Sequence, residues 1–167
     1  DVPFMAGANT ADYPSLIDGF VYQMPLRAAN SEAPHYAYVF NHVPSAWADQ
    51  GVGAYHGIEL VYVFNYPASF YSHYLLGLAG LEVDPTRPPM EVIASTGYGQ
   101  EDMELSDKMM TLWAQFAATG DPEVESITEW AEYTADEEAY LEIKPNMEVK
   151  YGLEDAFPQT ASFVSPV

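Results

Sequence analysis

The feature that most constrains this chain is the order of segments near its start: strand, helix, strand. VPFMA, residues 2–6, reads as a short strand. YAYVFNHV, Tyr36–Val43, is rich in aromatic and β-branched residues and reads as another. Between them lie a polar loop, GANTAD, from Gly7, and the run FVYQMPLRAA, Phe20–Ala29, which is helical in pattern although Pro25 interrupts it. The gap exceeds the dozen or so residues that a parallel crossover takes. A mainly parallel α/β sheet with flanking helices is therefore the expected fold class.

Further along, GVGAYHG, Gly51–Gly57, is a glycine-punctuated loop. The apolar run after it, IELVYVF, favours a strand by composition, although its length does not separate a strand from a buried helix. Pro67–Leu81 reads as helical. Asp84–Gln100, with Pro85, Pro88, Pro89, Gly97 and Gly99, reads as a long loop. The clearest helix spans Met103–Thr119. There Leu105, Met109, Leu112, Trp113 and Phe116 share one face, and Gly120 and Pro122 mark the stop. Two short strands are expected at Tyr140–Ile143 and Met147–Lys150. No repeat or domain boundary stands out.

Charge narrows the partners. The chain has 25 Asp and Glu against 5 Lys and Arg, a net charge of −20. Nucleic-acid backbones and anionic membranes need Lys and Arg, so neither is an expected partner. No apolar run approaches the ~20 residues of a membrane span, so no membrane insertion is expected. With no Cys, disulfides, thiolate zinc sites and a Cys nucleophile are excluded, while the compartment stays open. The clusters EDMEL and TADEEAY lack the alternating ligands and turn glycine of an EF-hand and read as solvated faces or helix N-terminal charges, so no metal site is expected. Neither Gly-x-Gly-x-x-Gly nor a Walker motif occurs, so no cofactor is expected. No basic-then-apolar leader opens the chain, and a start at Asp1 reads as a processed or truncated product.

Of the four histidines, His35 and His42 flank a strand with no acid or nucleophile at suggestive spacing, and His73 sits in an aromatic run; all three read as structural or solvent-facing. His56 sits among Gly51, Gly53 and Gly57, where small neighbours let backbones approach and leave an imidazole exposed. Asp12 follows the first strand as His56 follows the second. In a parallel sheet both project from the carboxyl edge, where a carboxylate and an imidazole make the acid–base half of a hydrolytic triad. On pattern alone, an Asx turn or helix cap is the commoner use of such an Asp, and loop histidines serve many ends.

GVGAYHGIELVYVF resembles the histidine segment of the type-B carboxylesterase family, which includes the cholinesterases: Gly-x-x-His-Gly-x-Glu, then an aromatic-rich apolar run. VPFMAGANTAD resembles the strand and loop that end in the triad acid, usually Glu, here Asp12. HYAYVFNHVP, LSDKMMTLWAQFAATGDP and EWAEYTADEEAYLEI resemble further pieces, in the family's order. The resemblance implies an α/β-hydrolase fold, with His56 as general base, Asp12 as triad acid and Glu59 as structural support. Only 44 positions separate Asp12 from His56, where the family's stretch is much longer. No Gly-x-Ser-x-Gly elbow occurs, and none of the ten serines has that glycine-flanked setting. Since the triad order in such hydrolases is Ser, acid, His, the nucleophile is expected upstream. Residues 1–167 then form the C-terminal part of one α/β-hydrolase domain, inactive alone and completed by an N-terminal part. The implied activity is hydrolysis of small uncharged carboxylic esters; the alternative is an inactive cholinesterase-like binding or adhesion protein.

Overall fold

The computed structural model describes residues 1–157; Ser162 and Ser165 lie outside the described residues. The elements are β1 (Phe4–Asn9), α1 (Pro14–Asn30), β2 (His35–Phe40), α2 (Ser45–Ala48), α3 (Glu59–Val63), α4 (Ser69–Leu75), α5 (Pro89–Ser95), α6 (Gln100–Thr119), β3 (Tyr140–Ile143) and β4 (Glu148–Lys150). A short 3-10 turn follows at Leu153–Ala156. The strands form one sheet in the order β1-β2-β3-β4. β1, β2 and β3 are parallel, and β4 returns antiparallel to β3. This is the mainly parallel sheet with flanking helices that the sequence predicts.

β2 is covered on both faces, as a central parallel strand must be, and its alternation divides the core. Tyr36 and Phe40 join Trp47, Ile58, Tyr62, Leu105, Met109 and Leu112 on the α6 side. Ala37 and Val39 join Ile17, Phe20 and Met24 of α1 on the other. The segment after α6 closes against β2: Trp130 Nε1 donates to the Ala37 carbonyl at 3.2 Å, and the Tyr133 amide to the His35 carbonyl at 2.7 Å. β1 pairs with β2 on one side; its other edge has no strand among the described residues.

Several boundaries differ from the sequence reading. β1 runs through Gly7–Asn9, read above as loop, because pairing with Tyr38–Phe40 overrides the low strand propensity of Gly and Asn. α1 begins at Pro14, six residues before the helical pattern becomes visible, since proline is pre-organised for a first helical turn. The run IELVYVF holds a helix, α3, rather than a strand; Val61 and Tyr62 are buried while Leu60 and Phe64 are exposed. Ser106 on α6 reaches across to it, its Oγ donating to the Tyr62 carbonyl at 2.6 Å. The 84–100 segment is not all loop. Pro88 caps α5 and Pro89 opens it, because proline suits a first helical turn although it breaks structure before it. α6 starts three residues earlier than its apolar face suggests and ends where Gly120 takes φ +81°.

All five basic side chains are engaged. Lys144 and Lys150 both pair with Glu142, at 2.5 and 2.7 Å. Arg27 stands 4.1 Å over the Phe4 ring. Lys108 donates to the Pro145 carbonyl and Arg87 to that of Glu91. Burial alone would raise the Glu142 carboxyl; hydrogen bonds from Lys144, Lys150 and Asn41 outweigh it and lower it from 4.5 to about 2. A depressed carboxyl contributes stability that is complete above pH 4.5 and disappears as pH falls towards 2. Glu142→Gln is therefore expected to lower the melting temperature at pH 7 and to flatten its decline between those limits, as followed by circular dichroism across a pH series.

Candidate active site

The end of β1 and the histidine loop meet at the carboxyl edge of the sheet. Ala11 and Tyr55 form an isolated parallel bridge, and the Ala11 amide donates to the Ala54 carbonyl at 3.0 Å. The approach is so close that a Cβ on residue 53 would stand 2.8 Å from the Ala11 Cβ, which explains the glycine there. Beyond this bridge the two loops present one side chain each. His56 Nδ1 lies 2.9 Å from Asp12 Oδ1.

The two partners differ in exposure. The Asp12 side chain is 7% exposed, that of His56 53%. Asp12 Oδ1 also accepts the Tyr13 amide at 2.8 Å, a second tie on the oxygen that faces His56. A proton on Nδ1 facing this carboxylate leaves Nε2 as the basic nitrogen. Nε2 has no hydrogen-bond partner among the described residues. The exposed Tyr13 ring flanks the imidazole, 5.6 Å between centroids. An oriented imidazole with its basic nitrogen open can take a proton from an incoming group and hold the resulting charge against Asp12.

The histidine loop is tied from below. Tyr55, just before His56, has its carbonyl held by Asn9 Nδ2 at 2.8 Å and its hydroxyl 3.0 Å from His73 Nδ1. Asn9 Nδ2 also donates to Glu59 Oε2 at 2.5 Å. Glu59 thus contacts the end of β1 and not His56. His73 is half-buried, and burial lowers its basicity.

His35 is buried at the start of β2 with its ring beside Phe4. His42 departs from expectation, for it does have an acid. Its Nε2 lies 2.8 Å from Asp102 Oδ1, which also accepts the Tyr62 hydroxyl at 2.8 Å, while Oδ2 accepts the Gly99 amide at 2.8 Å. Asp102, from the EDMEL cluster, is a buried link between the end of β2 and the start of α6. Burial raises its carboxyl, but the hydrogen bonds from His42, Gly99 and Tyr62 hold it below the usual range. His42→Ala leaves two of those donors in place, so we expect a loss of about 1–3 kcal/mol, seen as a lower melting temperature. Turnover per folded molecule should not change. Among the described residues no group of three or more His, Asp or Glu side chains could hold a metal, and no helix is long and apolar enough to cross a membrane.

Residues 15–161 match the model of the carboxylesterase family; the span includes His56, Gly57 and Glu59 and begins just beyond Asp12. The chain is 32% identical over 126 residues to human bile salt-activated lipase, covering 72% of this chain and 13% of that protein. It is 33% identical over 126 residues to carboxylesterase 5A of Felis catus, covering 74% and 19% respectively. Against acetylcholinesterase of Danio rerio the figures are 27% over 139 residues, 78% and 18%. A solved structure of a thermophilic PNB esterase is 21% identical at a TM-score of 0.48, covering 71% of this chain and 20% of that one. The matched chain thus spans about a fifth or less of the length of these relatives. With the family model matching most of its length, this chain belongs to the carboxylesterase family.

Proposed function

We propose that this chain supplies the acid, Asp12, and the base, His56, of a Ser-Asp-His triad in a type-B carboxylic-ester hydrolase. The observation that carries the reading is the 2.9 Å contact between Asp12 Oδ1 and His56 Nδ1, at the carboxyl edge of a parallel sheet, with Nε2 open. The nucleophile belongs to polypeptide outside these 167 residues, where the Gly-x-Ser-x-Gly elbow and the oxyanion donors lie. The unpaired edge of β1 suits that polypeptide, since it offers backbone groups for another strand. Residues 1–167 are then the C-terminal part of a single domain and do not hydrolyse esters alone.

In the completed enzyme the Ser Oγ attacks the ester carbonyl as His56 Nε2 takes its proton. The proton passes to the leaving alkoxide, which departs as alcohol. Water then attacks the acyl-enzyme, again through His56, and releases the acid. Asp12 holds the tautomer and balances the imidazolium. Small uncharged esters fit best: Tyr13 gives an apolar wall beside His56, and the chain's charge of −20 repels anionic substrates.

The test is a fluorophosphonate probe on the full-length protein, followed by peptide mapping. One labelled serine outside residues 1–167, with loss of activity on a short-chain aryl ester, is the expected result. A folded full-length protein that takes no label would favour a binding protein without hydrolytic function. A label on any of the ten serines here would show that the nucleophile has been misplaced.

A further inference from the structure

We propose that Asn9 is a positioning residue of this site, a single side chain that fixes the histidine loop against the acid loop. The inference rests on the reading of His56 and Asp12 as base and acid. Asn9 is the last residue of β1 and is 1% exposed. Its carbonyl accepts the Asp12 amide at 3.1 Å. Its side-chain nitrogen donates to the Tyr55 carbonyl at 2.8 Å and to Glu59 Oε2 at 2.5 Å. One residue therefore touches the acid's backbone, the residue before the base and the residue three beyond it.

The chemistry selects an amide here. Both partners of the side chain are acceptors, and an amide nitrogen has two hydrogens, so each is used. Asp is nearly the same shape but would set a carboxylate against a carbonyl and a second carboxylate. A shorter apolar residue would leave the Tyr55 carbonyl without its donor. The need for such a tie is visible in His56 itself. Its imidazole is half in solvent and its own side-chain tether is Asp12, so its place depends on how its backbone is held. Asn9 sits at the end of the sheet, the most rigid element nearby, and transmits that rigidity to both loops. It acts through Tyr55, Glu59 and Asp12. A displacement of about 1 Å at a reacting group costs on the order of 10²-fold in rate.

The experiment uses the full-length enzyme and a short-chain aryl ester, with kcat, KM and melting temperature measured for each variant. Asn9→Asp is expected to lower kcat by about 10²-fold with KM little changed. Adding Glu59→Gln to Asn9→Asp gives the new carboxylate an amide donor across the same gap and should recover part of that loss. A tie that serves only the fold would instead lower the melting temperature and leave kcat per folded molecule unchanged, and that result overturns the proposal. Should Asn9→Asp not fold, Asn9→Ser is read in the same way: a folded Asn9→Ser with wild-type kcat overturns it. Failure of both to fold also overturns it, by making Asn9 a residue of the fold alone. His56→Ala, assayed beside them, separates the two readings. If it keeps wild-type turnover, the triad assignment fails; if it is inactive while the Asn9 variants turn over normally, only the positioning role fails.

Discussion

Replacing His56 with Ala in the full-length enzyme is expected to remove nearly all ester hydrolysis, on the order of 10⁶-fold in kcat, as when a hydrolase triad loses its base. The size follows from the role proposed for the imidazole twice per turnover: accepting the serine proton as the ester is attacked and the water proton as the acyl-enzyme is cleaved. KM should change little, because substrate binding draws on surfaces elsewhere. Stability should change little, since the side chain is 53% exposed and its contacts are those to Asp12 and to the exposed Tyr13 ring. Stopped-flow measurement on an aryl ester would show acylation slowed, not merely deacylation. Wild-type turnover in this variant would end the assignment of His56.

The second large effect is expected at Asp12, and the structure shapes its size. Where an Asn replaces the triad acid and its amide faces the imidazole, the tautomer flips and kcat falls by about 10⁴. Here His56 Nδ1 and the Tyr13 amide share one oxygen, Oδ1. The Tyr13 amide can only donate, so it holds an Asn with its own oxygen in that place and Nδ1 keeps an acceptor. What Asp12→Asn loses is the charge that balances the imidazolium, worth roughly 10²- to 10³-fold within the range of acid–base effects. Asp12→Ala removes the acceptor as well and should fall further, towards 10⁴-fold. The expected order in kcat is Ala below Asn below wild type. Wild-type activity in both would leave Asp12 as the Asx-turn residue that its pattern alone favours.

Strand order alone puts the two loops of this pair on one edge but leaves an Asx turn and a loop histidine as the commoner readings; it is the resemblance of GVGAYHGIELVYVF and VPFMAGANTAD to the carboxylesterase segments that singles out His56 and Asp12. The same reasoning could not reach His42 and Asp102. They lie 60 positions apart, and the contact between them exists only once α6 docks beside β2. Asn9 stayed hidden for a different reason: Gly7–Asn9 read as a loop, and no local pattern announces that a strand terminus will fasten a turn nearly 50 residues on. α3 was lost to ambiguity, since five residues of Glu, Leu, Val and Tyr suit either a buried strand or a helix until α6 supplies the surface. α5 was lost because Pro88 and Pro89 break structure before them and permit it after them. What the sequence conveyed well was long-period apolar patterning, as in α6. What it withheld were short elements whose identity depends on a distant neighbour.

The way the basic side chains are used has a consequence for the solutions in which this protein is handled. Two of five cations converge on one carboxylate, and the others serve a ring and two carbonyls. Most of the 25 acidic groups therefore face one another across water with no counter-charge from the chain. Compaction crowds that charge, and the unfolded chain relieves it by spreading. Dissolved ions shorten the reach of the repulsion, from about 10 Å at 0.1 M to about 3 Å at 1 M. The folded state is thus a polyelectrolyte whose missing counterions come from the buffer. A protein held together by surface ion pairs weakens as salt is added; this one should tighten.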